Sequence, residues 1–343
     1  MTTGIDHASA SGQDTVTLLD VARVAGVSPA TVSRILNGTA KVGDDKRKAV
    51  EDAIAALNFR PNLFARSLKT GITMTVGVLT QAIESQFYSR ALKGIEAGLQ
   101  GSGHSPIIVS GHWNAETDVA SLRILSSRRV DGLIILTGCI GDSDVLAAAR
   151  KQPVVITERV LNAPNLRSIK LDQRRGGYLA TRHLLALGHT RIAHITGVQG
   201  RADAQERYQG YLDAHREAGV TPDPELVVAG DFTDAQGLAA MQQLLHSGKP
   251  FTAVFCANDE SALGARLALY QQGLQVPQDV SLVGFDDLPT SSFMTPPLTT
   301  VRQPVYEVGL YAAHTLLNMM GYPAEPVQVP ALELMVRGTT RQL

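Results

Sequence analysis

Residues 17–37, TLLDVARVAGVSPATVSRILN, read as two short helices joined at one glycine. Thr17 is placed to cap the first helix, with Asp20 three residues on in a shortened capping box. Leu18, Val21, Ala22 and Ala25 recur at helical spacing, and Gly26 supplies the left-handed corner that ends the helix. Val27 fits the gap between the helices. Ser28 caps the second helix, and Pro29 stands at its first position, where a missing N–H costs nothing. Val32, Ile35 and Leu36 give that helix one apolar side and leave Ala30, Thr31, Ser33, Arg34 and Asn37 to face elsewhere. This layout places a second helix in a DNA major groove, although alone it also suits a helical hairpin in any core.

The charge distribution favours the first alternative. Over 343 residues, 31 Lys+Arg face 32 Asp+Glu, so the whole chain is nearly neutral. Residues 15–70 nevertheless carry a formal +4, from nine basic and five acidic side chains, and the remainder carries −5. A basic head on a mildly acidic body is the asymmetry of a chain that meets phosphate at one end. The two cysteines, Cys139 and Cys256, lie in apolar strand-like runs and read as buried free thiols rather than a disulfide or zinc framework. The first 14 residues are rich in Ser, Ala, Thr and Gly and read as a disordered leader, not a signal peptide. No run approaches the apolar length of a membrane span, so a soluble, cytoplasmic protein is expected.

Outward from the opening stretch, residues 44–58 read as a third helix with Val50, Ile54 and Leu57 inward. Pro61 then breaks the preceding helix. Asn62 to Lys69 is too short to be helical alone in water and orders only against a partner. It reads either as a plain linker or as a hinge that folds on its twin and a minor groove, with Leu68 as an apolar wedge. From Thr75 short apolar strands alternate with helices, the pattern of parallel sheets covered on both faces. Nine strands are expected: 75–79, 106–109, 132–136, 154–157, 169–171, 191–195, 253–256, 281–284 and 299–302. That number favours two lobes over one sheet. GIEAGLQGSG (94–103) and GYLDAHREAG (210–219) share their glycine spacing, each expected to follow a helix, as if the lobes were built alike.

The fold class is therefore α/β. An N-terminal three-helix helix-turn-helix domain (15–60) and a hinge helix or linker (61–72) precede a two-lobed core (73–343) of doubly wound parallel sheets. The first lobe is expected from 73–172 and 302–331, the second from 173–301 and 332–343.

No phosphate loop, dinucleotide fingerprint, nucleophile elbow or zinc-protease helix occurs, and the histidines are scattered. His189, at a helix–strand corner, reads as structural. In α/β sheets ligands sit at strand carboxyl ends, and those ends carry Gln81, Glu158, Asn258 with Asp259, and Asp286 with Asp287. Arg207 lies early in a helix after the loop 197–204. Carboxylates, an amide and a guanidinium read hydroxyl groups, and Phe87, Tyr88 and Trp113 offer flat faces to a pyranose ring. A helix cap is the alternative role for each carboxylate. A sugar-binding receptor without DNA leaves the basic head unexplained. An enzyme lacks a marked catalytic pair, and no cofactor or metal is expected.

Six motifs in order, TLLDVARVAGVSPATVSRILNG, LNFRPNLFARSLKTG, TRHLLALGHTRIAHITG, ERYQGY, ANDESALGA and VGFDDLPTSSFMTPPLTTVRQP, resemble the LacI/GalR family of bacterial transcription regulators, nearest the galactose and β-glucoside repressor branch. The resemblance implies a periplasmic-binding-protein-like core with a sugar between its lobes. It implies a repressor whose homodimer, or tetramer, reads a near-palindromic operator and is released by the sugar. No heptad tail follows Arg341, so a coiled-coil tetramer is not expected. By motif, Pro29, Ala30 and Arg34 take base-reading positions, and Thr17, Ser28, Thr31, Ser33 and Asn37 face phosphates or neighbouring bases. Leu68 matches the intercalating leucine, Asn62 and Ala65 the minor-groove hinge, and Lys69 closes that hinge. Arg207, Asn258 and Asp286 match sugar-contacting positions, and Glu158 stands where most members have aspartate.

Overall fold

The computed structural model describes residues 16–36, 43–59 and 71–343. The expectations for the leader, Asn37, Asn62, Ala65, Leu68 and Lys69 lie outside the described residues. The chain divides into two compact units, Met1–Thr73 and Met74–Leu343.

In the first unit α1 spans Leu18–Val24, α2 Pro29–Leu36 and α3 Asp44–Ala56. Thr17 and Asp20 form the reciprocal capping box, with the Thr17 N–H donating to Asp20 Oδ2 at 2.9 Å. Gly26 takes φ 66°, the left-handed conformation the corner demands. Ser28 Oγ accepts from the Thr31 N–H at 3.2 Å and so caps α2. Val21, Ala22, Val32, Val50, Ala53 and Phe59 form the core, with Val27, Ile54 and Leu57 packed against it. Burying these few apolar groups holds three helices too short to persist alone.

The second unit contains two sheets. The first holds β1 (Thr75–Thr80), β2 (Ser105–Ser110), β3 (Gly132–Ile135), β4 (Val154–Thr157) and β5 (Leu166–Ile169), all parallel in the order β2-β1-β3-β4-β5. The second holds β6 (Ile192–Ile195), β7 (Val227–Val228), β8 (Ala253–Cys256), β9 (Ser281–Asp286), β10 (Thr299–Arg302) and β11 (Glu333–Met335). Its order is β11-β10-β9-β8-β6-β7, with β11 antiparallel at the edge. Without β11 the two orders are the same, so the lobes repeat one topology.

Helices α4 (Gln86–Leu99), α5 (Ala115–Ser127) and α6 (Asp142–Ala149) connect the first sheet. Helices α7 (Gln173–Ala186), α8 (Ala202–Glu217), α9 (Asp234–His246) and α10 (Asp259–Gln271) serve the second. The chain returns after β10, and α11 (Val305–Met319) packs Val308, Ala312 and Leu316 on the first sheet beside Val76, Ile134 and Val155. It then crosses once more to add β11. Three crossings thus join the lobes.

Several expectations are corrected. The strand read at 169–171 lies at Leu166–Ile169; Leu171 is apolar because it packs into the core from the loop beyond. β7 and β11 were not anticipated, being only two and three residues long and lying at the two edges of their sheet. Cys139 is exposed, because Gly138 (φ 135°) turns the chain out of the sheet after β3. Gly94 and Gly210 do not follow helices but lie within α4 and α8. A methyl group at Gly94 would stand 2.0 Å from the Tyr306 carbonyl oxygen of α11, and one at Gly210 would stand 2.1 Å from that of Arg174 in α7. The matching glycines therefore mark equivalent close helix crossings in the two lobes.

Candidate ligand cleft and nucleic-acid interface

Both sheets turn their strand carboxyl ends toward one another, and each reverses its winding there, between β1 and β3 and between β6 and β8. Such reversal points open a crevice for a ligand. A cleft of about 610 Å³ occupies that place, within the range of small-molecule sites.

The first lobe contributes Phe87 and Tyr88 at the start of α4, and Trp113 in the loop after β2. Phe87 and Tyr88 meet edge-to-face at 5.2 Å between ring centroids, and Tyr88 lies 5.8 Å from Trp113. The second lobe contributes Arg207, Asn258 and Asp286, together with Arg201, Asp203 and Phe232. Of the effector residues read from sequence, Phe87, Tyr88, Trp113, Arg207, Asn258 and Asp286 line the cleft.

Arg207 donates from Nε to Gln173 Oε1 at 3.0 Å and from Nη1 to the Ala257 carbonyl. Its guanidinium lies 3.8 Å from the Phe285 ring centroid, and Nη1 lies 3.9 Å from Asp286 Oδ1. Asp286 also accepts from Gln303 Nε2 at 2.7 Å. Burial pushes the Asp286 carboxyl up to about 8, outweighing the opposing charge of Arg207. At neutral pH this group is largely protonated and offers a donor as well as an acceptor.

Glu158 does not reach the main cleft. It lines a side chamber of about 40 Å³ behind Phe87, Tyr88 and Arg207. Burial, aided by the charge of Asp203, pushes it up to about 7, although Gln173 Nε2 donates to it at 3.1 Å. Gln173 also donates to Gln303 Oε1 at 2.9 Å. Glu158, Gln173, Gln303 and Asp286 thus form a hydrogen-bonded chain, with its two glutamines on two of the crossings between lobes.

Gln81 is a correction. It is fully buried and lies off the cleft; its Nε2 donates to Asp118 Oδ1 at 2.9 Å, and its Oε1 accepts from the Trp113 N–H at 2.8 Å. It positions Trp113 rather than meeting a ligand. Asn258 lines the cleft but is committed at both ends: Oδ1 caps α10 through the Ser261 N–H, and Nδ2 donates to the Phe232 carbonyl at 2.8 Å. Asp259 accepts from Leu288 N–H, Ser291 and Thr300, so its carboxylate is saturated by the fold. His189 is structural, bonded to Thr252 Oγ1 and the Arg341 carbonyl.

Arg201, Asp203 and Phe232 were missed. The first two lie at the loop-to-helix junction after β6, where the glycine of Gly200-Arg201 signals a turn at a strand's carboxyl end. Phe232 carried no such signal: a phenylalanine at φ 73° is not expected from sequence spacing.

In the first unit, Thr17, Ser28, Pro29, Ala30 and Arg34 are exposed, and Thr31 and Ser33 half-buried. Ala30 and Arg34 are four residues apart on α2 and therefore share a face, away from buried Val32.

A capped helix-turn-helix followed by a two-lobed, hinged ligand core defines a class of ligand-controlled regulators. Residues 17–62 match the model of the bacterial regulatory proteins of the lacI family, and residues 181–340 that of the periplasmic binding protein-like domain. The chain is 38% identical over 304 residues to the transcriptional regulator GalR of Escherichia coli, covering 88% of this chain and 89% of that protein. It is 36% identical to the ribose operon repressor of Haemophilus influenzae, covering 92% and 96%. Among solved structures, the lac repressor dimer bound to operator and the anti-inducer ONPF matches with a TM-score of 0.84 at 32% identity, covering 96% of this chain and 100% of that one. A complex of the regulator CelR with cellobiose matches at 0.69 and 34%, covering 94% and 99%. The chain belongs to the lacI family of bacterial regulatory proteins. These relatives are transcription regulators, not enzymes. Among the described residues, no helix is long and apolar enough to cross a membrane.

Proposed function

We propose that the protein is a cytoplasmic repressor of carbohydrate-use genes, which binds a near-palindromic operator as a homodimer and is released by a sugar bound between its lobes. The observation that carries the sugar reading is the cleft itself. Aromatic faces from the first lobe stand opposite a guanidinium, an amide and carboxyls from the second, a set suited to stack on a sugar ring and bond its hydroxyls. The operator-bound and cellobiose-bound relatives agree with this division of labour.

Arg34 is assigned to a guanine edge, and Pro29 and Ala30 to apolar contacts such as a thymine methyl. Thr17, Ser28, Thr31 and Ser33 are assigned to the backbone or neighbouring bases. An exposed stripe on α10, with Leu263 46%, Leu267 47% and Tyr270 77% accessible, supports pairing with a second copy. A receptor-like protein without DNA has no use for a capped, basic helix-turn-helix.

Sugar binding favours one lobe arrangement, and the crossings carrying Gln173 and Gln303 transmit it. A thermal-shift screen of monosaccharides and disaccharides tests the reading: a sugar held only by the native state raises the melting temperature. If no sugar does so, the carbohydrate assignment is wrong.

A further inference from the structure

The guanidinium of Arg201 stands 3.9 Å from the centroid of the Trp113 ring and 5.0 Å from that of Phe232. Trp113 belongs to the first lobe and Phe232 to the second, so this one side chain bridges the cleft through two cation–π contacts. We infer that Arg201 fills the place of the effector's ring: it ties the lobes across the aromatic slot and is displaced when a flat-faced ligand enters. This deepens the sugar reading and rests on it.

Three observations support the slot as a prepared site. Trp113 and Phe232 both adopt left-handed backbone, at φ 56° and 73°, a conformation that bulky residues take only where surrounding structure enforces it. Each is enforced by a dedicated buried amide: Gln81 accepts from the Trp113 N–H, and Asn258 donates to the Phe232 carbonyl. The two amides stand just past strand carboxyl ends on opposite sides of the cleft, after β1 and β8. Strain paid twice to aim two rings at one space is the mark of a clamp, and a core needs no such device to bury an arginine.

The third observation concerns Arg201 itself. Its Nε and Nη2 are held by Asp203, two residues along, and Tyr88 of the first lobe also faces it. Because the Asp203 pairing is local, Arg201 leaves the slot with its partner and without breaking α8. A sugar then stacks its C–H face on Trp113 and Phe232 and gains the cleft carboxyls as acceptors.

The consequence for binding has a definite sign. The contact stabilises the protein only before ligand enters, so removing it favours the complex. Trp113 is the single tryptophan in the chain, so its fluorescence reports this slot alone. Full-length protein and the Arg201→Gln variant are compared first by acrylamide quenching without sugar. D-galactose, D-ribose and cellobiose are then titrated into both. The double variant Arg201→Gln/Asp203→Asn removes the unpaired carboxylate and is run alongside, with melting curves to confirm folding.

The expected result is stronger quenching of Trp113 in both variants, and about 2- to 30-fold tighter sugar binding, the range a cation–π contact supports. Equal quenching overturns the inference, as does sugar binding that is unchanged or weaker in both variants, which would make Arg201 a direct ligand contact. Should no probe bind any of the proteins, the sugar reading fails, while the quenching comparison still decides whether Arg201 covers Trp113.

Discussion

Asp286 holds its proton to about 8 in the folded chain, whereas the unfolded chain releases it near the ordinary 3.8. The folded state therefore binds the extra proton between those values, and stability is lost as pH rises toward about 8. Melting temperature should fall through the neutral range, and Asp286→Asn should flatten that slope; an unchanged slope would contradict the buried, proton-bearing assignment. Glu158 and Asp259, also raised by burial, add slope of the same sign, at values of about 7 and about 6. Arg207 donates to Gln173 and to the Ala257 carbonyl, so Arg207→Met should cost about 1–3 kcal/mol for each buried acceptor left unpaired, as read by chemical denaturation. At this scale the sequence was partly legible. Arg207 and Asp286 were found because strand ends and helix starts are where ligands bind. Gln81 was placed correctly along the chain but lies off the cleft, and Asn258 lines the cleft while also pinning Phe232, because spacing does not tell an amide that faces a cleft from one that pins a neighbouring loop.

Helices set the next level. The Gly94 crossing brings α4 onto α11, and Gly94→Ala should destabilise the core by about 1–3 kcal/mol, since the clashing atom is a backbone carbonyl that cannot move aside. A denaturation midpoint equal to that of the parent would show that the helices separate freely. On α2, Arg34→Ala should cost about 1–3 kcal/mol at one operator base pair and relax discrimination there. Retained discrimination would remove Arg34 from base reading. On α10, Leu267→Glu should convert a dimer to a monomer in sedimentation, because a charge would be buried in an apolar stripe. Element types and most boundaries were legible because apolar periodicity is strong in both helices and strands. The exceptions have local causes. Leu171 extends an apolar run beyond its strand, and Gly138 carries Cys139 outward.

The whole molecule joins a base-reading head to a cleft whose lobes share one topology and three crossings. The repeated strand order was visible only as matched glycines, because a sheet's order depends on crossovers that periodicity does not encode. What couples the ends is thermodynamic: a sugar that weakens operator binding must itself be weakened by operator to the same degree. The direct measurement is fluorescence anisotropy of a labelled duplex, selected by the protein from random-sequence DNA, titrated with and without a saturating sugar from the thermal-shift screen. The predicted result is a loss of affinity of about 5- to 150-fold, matched by an equal loss of sugar affinity on the duplex and absent in Arg207→Met. An operator affinity indifferent to saturating sugar, or one lowered equally in Arg207→Met, would contradict control of the head by the cleft.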